Sequence, residues 1–102
     1  MFKPTVDDFL EYFNEMKKAM ERGYRYCVKL DNSVFEIHDM RYEVAELSGE
    51  WRKYIGPKKD LAFYSVYLYT DLGIPIYLTA HEFIEKRLNG KIGLCEDLRT
   101  EE

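Results

Sequence analysis

L-A-F-Y-S-V-Y-L-Y at residues 61–69, T-D-L-G at 70–73 and I-P-I-Y-L-T at 74–79 form the stretch whose reading decides the fold. Residues 61–69 are apolar or aromatic at nearly every position, as expected of a central strand covered on both faces. Asp71-Leu72-Gly73 is turn chemistry, and residues 74–78 return as a further strand. Pro75 cannot donate to a ladder, which places that strand at a sheet edge or puts Pro75 at its start. Thr79 with Glu82 three residues on is a capping box, so a helix follows to about Leu88 and Asn89-Gly90 closes it. Phe83, Ile84 and Leu88 give this helix a narrow apolar stripe.

Working back from there, W-R-K-Y-I-G-P-K-K-D at 51–60 reads as a charged loop punctuated by Gly56-Pro57. Residues 24–30 alternate: Tyr24, Tyr26, Val28 and Leu30 face one way, Arg25, Cys27 and Lys29 the other. Asp31-Asn32-Ser33 turns the chain into a second strand. Its alternation, Phe35 and Ile37 against Glu36 and His38, slips near Asp39-Met40. A bulge or a strand break there restores the inward side chains, and the strand is expected to run to about Leu47. At the front, residues 5–22 form a helix capped by Thr5 and Asp8. Val6, Phe9, Leu10, Phe13, Met16 and Met20 make its apolar face, and Gly23 stops it. Residues 95–102 are acidic and are expected to fray. These elements predict an α+β fold: one antiparallel four-stranded sheet in α-β-β-β-β-α order with helices packed on it, in a single domain over 1–102.

With 102 residues the chain has room for one hydrophobic core. Its net charge of −4 opposes nucleic-acid binding, which needs a cationic footprint. No window approaches the apolar length of a membrane span, and M-F-K-P-T lacks a signal-peptide core. The cytoplasm is the expected location. There, Cys27 and Cys95, which have no C-x-x-C spacing, are expected as two free thiols.

Motifs that carry chemistry are sparse. H-E-F-I-E at 81–85 begins like the H-E-x-x-H zinc motif but has Glu85 where the second His would stand. His81 and Glu85 share a helical face, yet polar residues are what any capped first turn needs, so no metal is expected. His38 beside Asp39 has the makings of a general base, but no nucleophile elbow accompanies it. Cys27 lies mid-strand, without the helix N-terminus that lowers a thiol pKa. The six glycines are scattered singly and form no phosphate loop. The chain is therefore expected to be non-catalytic and to carry no cofactor.

Two surfaces stand out. Trp51, Arg52, Lys53 and Tyr54 with Lys58 and Lys59 form the one basic-aromatic cluster in an acidic chain, built from residue types that dominate binding hot spots. Asp7, Glu11 and Glu15 make an acidic stripe on the first helix, a secondary candidate for a basic partner. In size and acidity the chain is similar to small phage and mobile-element proteins that block host proteins. The expected function is thus a small protein-binding module, an inhibitor or adaptor of a larger host protein. The alternatives are a small-ligand or nucleotide binder using residues 51–59 and, third, an enzyme with a His-centred site. A phosphate ligand or a second copy of the chain are the other partners to weigh.

Overall fold

The computed structural model describes residues 3–45 and 60–99. The first helix, α1 (Val6–Glu21), starts where the sequence places it. The Thr5 side chain accepts the Asp8 N–H at 3.1 Å and Asp8 Oδ2 accepts the Thr5 N–H at 2.9 Å. Two otherwise unsatisfied N–H groups are thereby paired. Gly23, at φ 98°, lets its own N–H reach Met20 O and ends the helix. Phe9, Phe13 and Met16 on the inner face are buried, while Asp7, Glu11 and Glu15 are exposed.

β1 (Tyr26–Leu30) and β2 (Ser33–Glu36) form a hairpin across Asp31, which takes the left-handed conformation (φ 54°). β3 (Asp39–Val44) follows after only Ile37 and His38. A 3₁₀ turn at Leu61–Phe63, capped by Asp60, leads into β4 (Tyr64–Tyr69) and β5 (Ile76–Thr79). Then come α2 (Ala80–Leu88), β6 (Ile92–Leu94) and α3 (Cys95–Arg99). The capping box at the start of α2 is present as predicted, with Thr79 and Glu82 exchanging hydrogen bonds.

The sheet expectation needs correcting. In place of one four-stranded sheet there are two antiparallel three-stranded sheets, β2-β1-β6 and β3-β4-β5. The cause lies at the predicted slip. Ile37 N donates to Tyr26 O of β1, whereas His38 N donates to Tyr69 O of β4. Two adjacent residues thus pair with strands on opposite sides of one run. The inward set changes from odd positions (Ile37) to even ones (Met40), both buried. A single strand to Leu47 was expected; residues 33–44 instead serve two sheets, and residues 46–59 lie outside the described residues.

The main core joins α1 and α2 to both sheets. Phe9, Phe13, Met16, Val28, Met40, Val66, Leu68, Phe83, Ile84 and Ile92 are all at most 3% exposed and form one cluster. A second, smaller cluster lies on the other face of β1, where Cys27, Cys95 and Leu98 pack with Val34. Cys27 and Cys95 are bonded to each other there, which corrects the expectation of two free thiols. The bridge also explains why residues 95–99 are helical rather than frayed, since Cys95 and Leu98 anchor α3 to the sheet.

Candidate interaction surface

Alternation along β3, β4 and β5 sends Met40, Val66, Leu68 and Leu78 to the core. The opposite face carries Asp39, Arg41 and Glu43, then Ser65, Tyr67 and Tyr69, then Tyr77 and Thr79. The register sets Arg41, Tyr67 and Tyr77 in one row across the three strands, and Glu43, Ser65 and Thr79 in the next. The rings of Tyr67 and Tyr77 meet edge-to-face at 5.5 Å between centroids. The Arg41 guanidinium lies over the Tyr69 ring at 5.7 Å. α1 and α2 pack on the core face of this sheet; on the opposite face Tyr77 is 55% exposed and Tyr67 and Tyr69 are half-buried. Residues 61–69 were expected to be covered on both faces; among the described residues only the face bearing Val66 and Leu68 is.

Fixed polar contacts hold the array. Lys17 of α1 donates to Met40 O at 2.6 Å and to Asp39 Oδ1 at 3.3 Å, and Asp39 accepts the Met40 N–H at 2.8 Å. Burial opposes ionisation of Asp39, but the Met40 N–H and Lys17 outweigh it and hold the carboxyl below its usual range. Arg41 Nε lies 3.8 Å from the same carboxylate. Tyr67 is pushed up, first by burial and then by the charge and hydrogen bond of Glu43, so its phenol stays a donor.

The open edge beside this face is blunted. Ala45 N donates to Phe63 O, and following that ladder across to β5 turns the backbone groups of Tyr77 and Thr79 outward. Pro75 has no N–H, and the Thr79 N–H is taken by Glu82 Oε1 at 3.0 Å. Along the described β5 edge only Tyr77 is left with a backbone donor directed outward. At the end of the β4–β5 hairpin, Leu72 and Ile74 are 49% and 74% exposed.

The other sequence candidates fare differently. His38 pairs with Asp71 at 2.8 Å and not with its neighbour Asp39; both side chains are open to solvent. Cys27, weighed above as a nucleophile, is bonded to Cys95. His81 and Glu85 are exposed, and no group of three or more His, Cys, Asp or Glu side chains able to hold a metal occurs among the described residues. No helix among them is long and apolar enough to cross a membrane. Trp51, Arg52, Lys53, Tyr54, Lys58 and Lys59 lie outside the described residues. A cleft of about 660 Å³ is lined by Lys29, Asp31, Asn32, Lys86, Asn89 and Lys91. Its cations face the carbonyl end of α2, where positive charge is already favoured, so they are partly spent on the helix itself.

No family model, no curated protein and no solved structure matches this chain.

Proposed function

We propose that this chain is a non-catalytic protein-binding module, an inhibitor or adaptor of a larger protein in the cytoplasm, and that the tyrosine face of the β3-β4-β5 sheet is its principal contact. One observation carries the reading: Tyr67, Tyr69, Tyr77 and Arg41 lie together on a sheet face that no described element covers. The outward positions of a half-exposed antiparallel sheet are ordinarily polar. Tyr and Arg are enriched at the centres of interfaces, and Tyr gives a large contact at the cost of only two rotatable bonds. The acidic stripe of Asp7, Glu11 and Glu15 is the secondary contact.

The test is retention of a partner. Tagged wild type and a Tyr67→Ser/Tyr77→Ser variant are used to capture proteins from the source cells, and any partner's affinity is measured by calorimetry. The double variant should fold, because a cross-strand aromatic pair contributes about 0.2–1 kcal/mol. Its affinity should fall at least about tenfold, the loss expected from removing hot-spot side chains. Equal affinity for the two proteins rejects this face. The second reading, a phosphate-bearing small ligand, is favoured by the three lysines of the α2-end cleft. Titration with a nucleotide, followed by amide shifts at Lys29 and Lys91, decides it.

A further inference from the structure

We propose that the cleft between the β1–β2 turn and the turn joining α2 to β6 binds an oligophosphate through its phosphates alone, without reading a base. The inference rests on the second reading above, a phosphate-bearing ligand, which it narrows to a ligand class, and it is independent of the tyrosine face. Two tight turns set the walls of the cleft. On one side Asp31 takes the left-handed conformation (φ 54°) beside Asn32; on the other Gly90, at φ 76°, turns the chain between Asn89 and Lys91. The cavity of about 660 Å³ falls within the roughly 300–1,000 Å³ of small-ligand sites.

The charge on those walls is unbalanced. The register Tyr26↔Leu94, Cys27↔Gly93, Val28↔Ile92 continues to Lys29 opposite Lys91, and the Lys29 N–H donates to Lys91 O at 2.7 Å. Side chains directly opposite in an antiparallel ladder share a face, and like charges there repel. Lys86 lies in the last turn of α2 and offsets its carbonyl end, whereas Lys29 comes from β1. No ion pair joins Lys29, Lys86 or Lys91 to a described residue. Asp31 is the one carboxylate among the lining residues, so three ammonium groups stand against one carboxylate in a chain of net charge −4. An anion seated here relieves the repulsion between Lys29 and Lys91, and the amides of Asn32 and Asn89 add uncharged donors.

The same lining selects the ligand. Leu30 is its only large apolar side chain and it contains no aromatic ring, so a nucleobase finds no platform to stack on. Lysine binds phosphate as a point charge and not through a planar fork. One exposed lysine contributes little to holding an anion, because water and salt screen it. Affinity therefore accrues to a ligand that reaches several lysines at once, and the number of phosphates matters more than the nucleoside.

The experiment titrates the full chain with tripolyphosphate, ATP, CTP and orthophosphate by calorimetry at low and physiological salt, and follows backbone amide shifts. Tripolyphosphate, ATP and CTP should bind within about threefold of one another and at least about tenfold tighter than orthophosphate, all weakening with salt. The shifts should centre on residues 29–32 and 89–91. Lys29→Gln with Lys91→Gln should lower tripolyphosphate affinity at least about tenfold. Without ligand this double variant should melt no lower than wild type, since it removes a like-charge pair. Lys86→Gln repeats the affinity test away from the β1–β6 ladder. ATP or CTP binding at least about tenfold tighter than tripolyphosphate, or orthophosphate binding as tightly, overturns the oligophosphate assignment and leaves the second reading standing. Equal tripolyphosphate affinity in wild type and in both variants puts the anion elsewhere on the chain and overturns the assignment to this cleft. Binding of none of the four overturns the second reading as well.

Discussion

Replacing Phe9 by Ala tests the core at its most connected ring. Phe9 is fully buried and meets Phe13 at 5.9 Å, Tyr42 at 5.8 Å, Tyr64 at 5.6 Å and Phe83 at 5.9 Å, so one side chain touches α1, β3, β4 and α2. Truncation removes the ring's burial and leaves a cavity that four elements would have to close together, which sets the cost at about 3–5 kcal/mol. A domain of this size has about 5–15 kcal/mol in all, so the variant stays folded only with a narrow margin. At roughly 4–8 °C per kcal/mol the melting temperature should fall by at least ~12 °C. Phe9→Leu keeps most of the apolar volume and loses the edge-to-face contacts, and should cost about 1–3 kcal/mol. Urea unfolding followed by circular dichroism reads all of these, with Glu11→Ala as an exposed control expected within about 0.5 kcal/mol of wild type. A loss below ~1 kcal/mol for Phe9→Ala would mean that α1 does not seat on the β3-β4-β5 sheet, and the packing described above would fall with it.

The remaining predictions concern charge. The Thr79 N–H holds Glu82 below its usual carboxylate range, the Arg25 side chain does the same for Glu36, and Asp39 is lowered as described. Because the folded values lie below the unfolded ones, the unfolded chain takes up these protons first as pH falls. This stability is complete above about pH 5 and is lost as pH drops through the unfolded and then the folded values. Melting temperature measured downward from neutral pH should therefore decline in that acid window, and Glu82→Gln should flatten the decline; an unchanged profile in Glu82→Gln removes the capping box from the account. Arg52→Glu with Lys58→Glu, in the segment outside the described residues, should leave the melt within about 1 kcal/mol. The same pair should reduce the salt dependence of partner binding, and identical salt curves for wild type and variant would exclude those residues from the contact.

Much of the secondary structure was legible because it rests on local rules. Both capping boxes, the apolar stripe of Phe9, Phe13 and Met16, and the turn at Asp31 follow from spacing and residue type alone. The slip near His38-Asp39 was legible too. Its consequence was not, because membership of a sheet depends on which distant strand receives the hydrogen bonds, and nothing near His38 in sequence names Tyr69. Cys27 and Cys95 are separated by 68 residues, so no spacing rule could pair them. One signal was available: Cys27 falls on the outward side of the alternation yet is an apolar residue type, which calls for something to cover it. The tyrosine face was harder to read for a related reason. In Y-S-V-Y-L-Y the Tyr residues count as apolar, so the strand looks buried on both sides, whereas a Tyr ring sits equally well at a boundary with its hydroxyl in water.

The two outward faces call for different explanations. On the β2-β1-β6 sheet, Cys27 and Val34 would be exposed but for α3, and the chain supplies that cover from its own residues 95–99. On the β3-β4-β5 sheet the corresponding positions hold Tyr67, Tyr69 and Tyr77, and no described element supplies a cover. Solubility alone would be served by Thr, Lys or Glu, which suit the wet side of a strand and carry no exposed ring. Stability alone would be little altered by such residues, given how weakly an exposed cross-strand pair contributes. Three tyrosines with Arg41 laid over one of them satisfy neither need better than polar residues would. They fit the contact surface proposed above, with Glu43 and Asp39 interacting with Tyr67 and Arg41 to hold the array.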